Sequence, residues 1–205
     1  MNAFYDLGSD TRYLSECWAG ERKHLANQSA RLLAISEANQ LGVGRYISRP
    51  AGSMKPLFSS EYQHFAFPYE LDDEISLDGI LLSTAIEGLI NQRLPGRKYL
   101  ASSDPDKCCV VEIQRFTLPL FWTIASGHLN TPFLVFSTEQ DEAFFLLDFD
   151  MPIQVVGFKP GTFSEEEVTR WRSYFREQWP VVARMYSHYT NLLPIWRNIT
   201  LSLRL

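Results

Sequence analysis

An apolar run, FFLLDFD over residues 144–150, ends in two carboxylates one residue apart, Asp148 and Asp150. Side chains alternate along a strand, so both would leave on the same side and reach one hard cation through their oxygens. Such a pair holding Mg2+ or Mn2+ would set the metal against phosphate oxygens, the chemistry of a divalent-metal-dependent enzyme on phosphorylated or nucleotide substrates. A third acid such as Glu112 would complete the ligand set. The competing reading is structural. Asp148 is then a partly exposed residue on the open face of a sheet, and Asp150 a turn former ahead of Met151-Pro152 that bonds nearby backbone.

The surroundings of the pair favour the structural reading. Phosphatases of the haloacid dehalogenase type follow an apolar strand with D-x-D-x-T, and FFLLDFDMP is similar as far as its second Asp. Pro152 then stands where the Thr belongs, and only 55 residues remain for a fold in which this strand comes early. Nucleotidyltransferases of the polymerase-beta type carry Gly-Ser shortly before their D-x-D. Here Ser126-Gly127 is reversed and ends 21 residues before Asp148. Glycosyltransferases with D-x-D need a nucleotide-binding sheet upstream, and residues 1–107 show no βαβ alternation.

The remaining reactive side chains are scattered. His24, His64, His128 and His188 lie far apart in sequence, without a second ligand at metal spacing. Ser126-Gly127-His128 lacks the flanking glycines of a nucleophile elbow, and Cys108 and Cys109 have no evident base to activate them. Gly42-Val43-Gly44 lacks the third glycine of a dinucleotide loop, and LPGRK lacks Walker spacing. With three cysteines in the chain, neither a disulfide framework nor a zinc site is indicated.

Two other stretches suggest contact with another molecule. Residues 61–78 hold Glu61, Glu70, Asp72, Asp73, Glu74 and Asp78 with no Lys or Arg, a local charge of −6 against −5 for the whole chain. Glu70, Asp72, Asp73 and Glu74 are candidate contacts for a protein partner with a basic surface, unless they form a solvated loop. Residues 164–205 hold six Arg, no Lys and four Glu, a balance of +2. Among them Arg172, Arg176 and Trp179 have the side-chain chemistry that dominates protein interfaces. The plain alternative is a core helix whose arginines pair with the acids of the same chain.

Composition bounds the rest. At 205 residues, 45% hydrophobic and 21% charged, the chain can bury a sizeable core and falls outside the profile of disorder. Its charge of −5 argues against wrapping nucleic acid. The N-terminus lacks the pattern of a secretory signal, and no apolar run approaches about 20 residues. These features predict a cytoplasmic protein without a membrane partner.

The elements that must position these residues follow from periodicity. After Ser9-Asp10, apolar residues from Leu14 to Leu41 recur at helical spacing, and SLDGILLSTAIEGLINQRLPG predicts a second helix with Ile80, Leu81, Ala85, Leu89 and Ile90 inward. Residues 43–68, broken by Pro50, Gly52, Pro56 and Pro68, predict loops with short strands such as GRYIS. CCVVEIQRF, LPLFWTIAS, TPFLVFST, AFFLLDF and IQVVGF read as strands of an antiparallel meander. Ser164 and Glu167 form a capping box that opens a long helix, with Pro180 expected to kink it. ITLSLRL alternates as a terminal strand would.

The chain is therefore expected to be a single α+β domain. It has N-terminal helices, an antiparallel β-sheet in the second half over residues 108–158, and a helix over 164–190 packed across one face of that sheet. The functional expectation is a non-catalytic intracellular protein-binding protein of inhibitor, immunity or adaptor type. It would act without a cofactor through its acidic segment and its aromatic and arginine-rich helix.

Overall fold

The structure, a computed structural model, describes residues 29–42, 46, 59–67, 76–77, 80–102, 109–125, 132–148 and 153–185. Most of the helix expected before Gly42, most of GRYIS, the acids Glu70 to Glu74, Asp150 and the terminal ITLSLRL lie outside these residues.

The centre of the fold is the meander expected from the apolar runs. Strands β7 (Phe133–Ser137), β8 (Ala143–Leu147) and β9 (Gln154–Phe158) pair antiparallel, with Phe136 opposite Phe144 and Leu146 opposite Val155. Every residue of the three is buried, so both faces of this part of the sheet are covered. Strands from earlier in the chain extend the sheet on both sides: β1 (Ala30–Leu32), β2 (Gln63–Phe67), β5 (Lys98–Ser102) and β6 (Val110–Ile113). The resulting seven-stranded order is β1-β6-β5-β7-β8-β9-β2, all antiparallel. The class is α+β, but the sheet is not confined to the second half, because β1, β2 and β5 belong to it. A two-stranded ribbon, β3 (Ser76–Leu77) with β4 (Ile80–Leu81), stands apart.

Alternation divides the core in two. Leu100, Val111, Val135, Phe145 and Val156 face one way, against helices α2 (Leu82–Arg93) and α3 (Leu118–Ala125) and the first turns of α4 (Glu165–Met185). Tyr99, Leu134, Phe136, Phe144 and Val155 face the other way, against α1 (Ile35–Asn39), Tyr46 and Tyr62. On this second face the Tyr46 ring lies 5.1 Å from Phe136 and 5.4 Å from Phe144. Its hydroxyl donates to the Ser137 carbonyl at 3.2 Å, so a fully buried tyrosine keeps its polar end bonded.

Within LPLFWTIAS, residues Leu118–Ala125 form helix α3, against the expectation of a strand. Thr117 caps it: its Oγ1 accepts from the Leu120 amide at 3.3 Å and its carbonyl from Phe121 at 2.9 Å. Pro119 sits in the first turn, where an amide hydrogen has no intrahelical partner to lose. Leu120, Phe121, Ile124 and Ala125 turn inward, at positions that one helical face brings together, while Trp122 remains 45% exposed.

Helix α2 forms where expected, but Ile80 and Leu81 precede it in β4, and the inward stripe is Ile86, Ile90 and Leu94. Helix α4 opens on the expected capping box: the Ser164 amide donates to Glu167 Oε2 at 2.9 Å and the Glu167 amide to Ser164 Oγ at 3.2 Å. Arg93 ties this turn to the end of α2. It donates to the Thr162 carbonyl at 2.8 Å, pairs with Glu167 at 3.2 Å, and lies 4.4 Å from the centre of the Phe163 ring. The helix continues as one element through Pro180.

Helix α4 lies at one end of the sheet. Its first turns pack on one face of the sheet, as expected, but at the end of that face, along the last strand, β2. Trp171 packs edge-on to Phe67 at 4.6 Å in the first core cluster, and one turn later Phe175 belongs to the second. The helix thus straddles and covers an edge that would otherwise present unpaired backbone. The opposite edge strand, β1, is three residues long and carries the exposed Arg31, bonded to Glu37 at 2.8 Å and Glu112 at 3.2 Å. A short, charged edge resists further pairing.

Candidate interaction face

Asp148 directly follows β8 and is 1% exposed, so it is not the partly exposed residue of an open face. Its amide donates to Gln154 Oε1 at 2.9 Å, and Gln154 Nε2 donates to its carbonyl at 2.8 Å. The side-chain amide of Gln154 therefore reproduces a rung of the ladder where β8 and β9 separate. This burial has a simple cause: β8 is covered on both faces, so the residue at its end is covered too.

The structure does not bring Glu112 to this place. Glu112 shares a row with Tyr99, Phe136 and Phe144, across two intervening strands from β8. Asp148 is a further four residues along β8, which separates the two acids by on the order of 20 Å. Glu112 is engaged instead with Arg31 at 3.2 Å and Arg97 at 3.8 Å. Asp150 lies outside the described residues, and among those described no three His, Cys, Asp or Glu side chains are grouped to hold a metal ion.

Arg172, Arg176 and Trp179 do come together. They follow i, i+4, i+7 spacing on α4, which places them in one stripe beside the buried stripe of Val168, Trp171 and Phe175. Arg172 and Arg176 are exposed, and Trp179 is half-buried. Trp179 stacks on Phe175 with ring centres 5.4 Å apart and planes 13° apart, so the fold fixes its indole. Arg172 Nη2 donates to the His64 carbonyl of β2 at 3.2 Å, which anchors the stripe at the sheet edge. On the far side of the helix Val181 is 58% exposed. The acids Glu70, Asp72, Asp73 and Glu74 lie outside the described residues, so their relation to this stripe is not described.

One buried cation has little signature in the sequence. Lys98 opens β5, is 3% exposed, and donates from Nζ to the carbonyls of Gly96 and Gln114, each at 3.1 Å. Burial pushes its ammonium pKa down, and the nearby Glu139 opposes that shift. Around it the turn is held by Ser137 Oγ donating to the Pro95 carbonyl at 2.9 Å. Gly96 adopts φ +62°, and the Glu139 carboxylate occupies the place a Cβ would take. This arrangement closes a turn; KYLAS reads as an ordinary strand start, so nothing in its pattern marks Lys98 as buried.

No protein-family model matches the chain, and no curated protein matches it in sequence. No helix among the described residues is long and apolar enough to cross a membrane. Among the described residues, the α4 stripe is a group whose residue types and exposure suit contact with another molecule.

Proposed function

We propose that the protein is a non-catalytic, intracellular protein-binding protein, of inhibitor, immunity or adaptor type, whose contact face is the outer stripe of α4. The observation that carries this reading is the single stripe formed by Arg172, Arg176 and Trp179 on a helix whose inner face is fixed to the sheet. A Trp already held in place loses little freedom when it is covered, and Arg adds bidentate bonds, which is why these two residue types dominate interfaces. The acids Glu70, Asp72, Asp73 and Glu74 form the second contact in this proposal, toward a basic surface of the partner.

The test is capture of partners from native lysate, with identification by mass spectrometry. Variants Arg176→Glu, Trp179→Ala and a triple reversal of Asp72, Asp73 and Glu74 are compared with the parent chain. Folded variants that lose the same captured protein support the reading; capture indifferent to all of them removes it.

A further inference from the structure

The segment of α4 that carries the stripe has a charge that selects among partners, and Arg172 and Arg176 bring two of its cations onto the stripe itself. Residues 170–184 contain four Arg, one Glu and no Lys, a balance of +3 on a chain of −5, which leaves −8 for the rest. Among the described residues the side chains of Arg176 and Arg184 have no hydrogen bond or ion pair, and that of Arg172 has only the His64 carbonyl. These arginines are not consumed by contacts within the described fold. A positive stripe on an acidic molecule draws a negative group to that stripe and repels it elsewhere.

We propose that this stripe takes an acidic protein segment, with two carboxylates about one helical turn apart meeting Arg172 and Arg176 and a following apolar side chain lying on Trp179. The inference rests on the protein-binding reading and names the partner class for it. Three features favour this occupant. The planar fork of Arg pairs bidentately with carboxylate, which Lys cannot do, and the stripe holds no Lys. Arg172 and Arg176 are one turn apart, so a carboxylate pair on a facing helix or extended chain can meet both. The indole of Trp179 is already immobilised on Phe175, so covering it costs little side-chain freedom. Nucleic acid also carries acceptors for Arg, but its dense phosphate charge is opposed by the −8 formal charge of the rest of the chain.

The test uses the full chain and fluorescence anisotropy with three probes. One is a short helical peptide with Glu at two positions four apart and Leu three further on; the second replaces each Glu by Lys; the third is a single-stranded oligonucleotide of similar length. The expected result is saturable binding of the Glu peptide at about 20 mM salt that weakens at about 200 mM. Arg176→Glu should weaken it by about tenfold or more, while the Lys peptide does not bind. Because Arg176 is exposed, the variant should melt with the parent chain, and Arg176→Gln serves if it does not. Failure of the Glu peptide to saturate, equal binding by the Arg176 variants, equal binding of the Lys peptide, or tighter binding of the oligonucleotide would overturn the proposal. Should lysate capture still depend on the stripe while the Glu peptide fails, the acidic-partner inference falls alone. Should capture be indifferent to the stripe, both fall.

Discussion

Arg172 on α4 donates to the main-chain carbonyl of His64 on β2 at 3.2 Å, so a side chain of the candidate contact face also closes the last edge of the sheet. One residue joins the outer stripe of the helix to the backbone beneath it. Any partner that engages Arg172 therefore acts on the cover of an edge strand as well as on an exposed cation.

Replacing Arg172 by Ala removes one charge-assisted bond at a partly solvated site. The expected cost is about 1 kcal/mol, a fall in melting temperature of roughly 2–4 °C for a chain of this size. Calorimetry at neutral pH checks it. A larger effect would show that the edge needs Arg172 far more than the Trp171 packing implies.

Gln154→Ala is expected to cost more. It deletes both bonds to the Asp148 main chain at a fully buried site, with a penalty of about 2–4 kcal/mol by denaturant unfolding. An unchanged unfolding midpoint would contradict the role assigned to this side chain. In a thermal melt millimolar Mg2+ or Mn2+ should leave the parent chain's melting temperature unchanged. A stabilisation abolished by Asp148→Asn would instead support metal chemistry at this strand end.

Gly88 lies within α2, exposed, with nothing within 4 Å of where a Cβ would stand. Gly88→Ala should therefore stabilise the protein by about 0.5–1 kcal/mol through helix propensity alone. Thermal melting gives the sign directly, and a destabilised variant would mean that α2 is not helical at this residue.

The capping box predicts an acid response. The Ser164 backbone amide, then its hydroxyl and the charges of Arg93 and Arg170, hold the Glu167 carboxyl below its usual range. A depressed carboxyl pKa adds stability above the unfolded value near 4.5, and that stability is lost as pH falls through the folded pKa. Glu167→Gln should thus lower stability at pH 7 and show a shallower decline below about pH 4.5 than the parent chain. Ser164→Ala should cost about 1 kcal/mol at neutral pH. Parallel pH profiles for the parent and Glu167→Gln would contradict the box.

Legibility in the sequence followed how local the deciding interactions are. The Ser164–Glu167 box, the presence of helix α2 and the runs that become β7, β8 and β9 are set by neighbours in the chain and can be recognised there, whereas the inward stripe of α2 is displaced from the expected one because Ile80 and Leu81 belong to β4. LPLFWTIAS was misleading because its β-branched and aromatic content suits a strand, while the Thr117 cap and Pro119 in the first turn decide for a helix. KYLAS and QHFAF join the sheet through partners far along the chain: Lys98 opposite Ile113 and Ser137, and Phe67 opposite Gln154. Short strands of mixed polarity carry little of that information. Arg172, Arg176 and Trp179 stand out in the sequence by residue type, but their union in one stripe at a sheet edge depends on α4 and β2. Asp148 looked like chemistry because strand alternation is local, whereas its burial results from cover on both faces of β8.

The most direct test of the central claim is the dissociation constant of the captured partner for Arg176→Glu beside that for Val181→Glu, a reversal on the far side of the same helix. A contact face on the outer stripe predicts a loss of about tenfold or more for the first and less than about twofold for the second, with both proteins melting like the parent. Unchanged affinity in Arg176→Glu, or equal losses in the two variants, would contradict it.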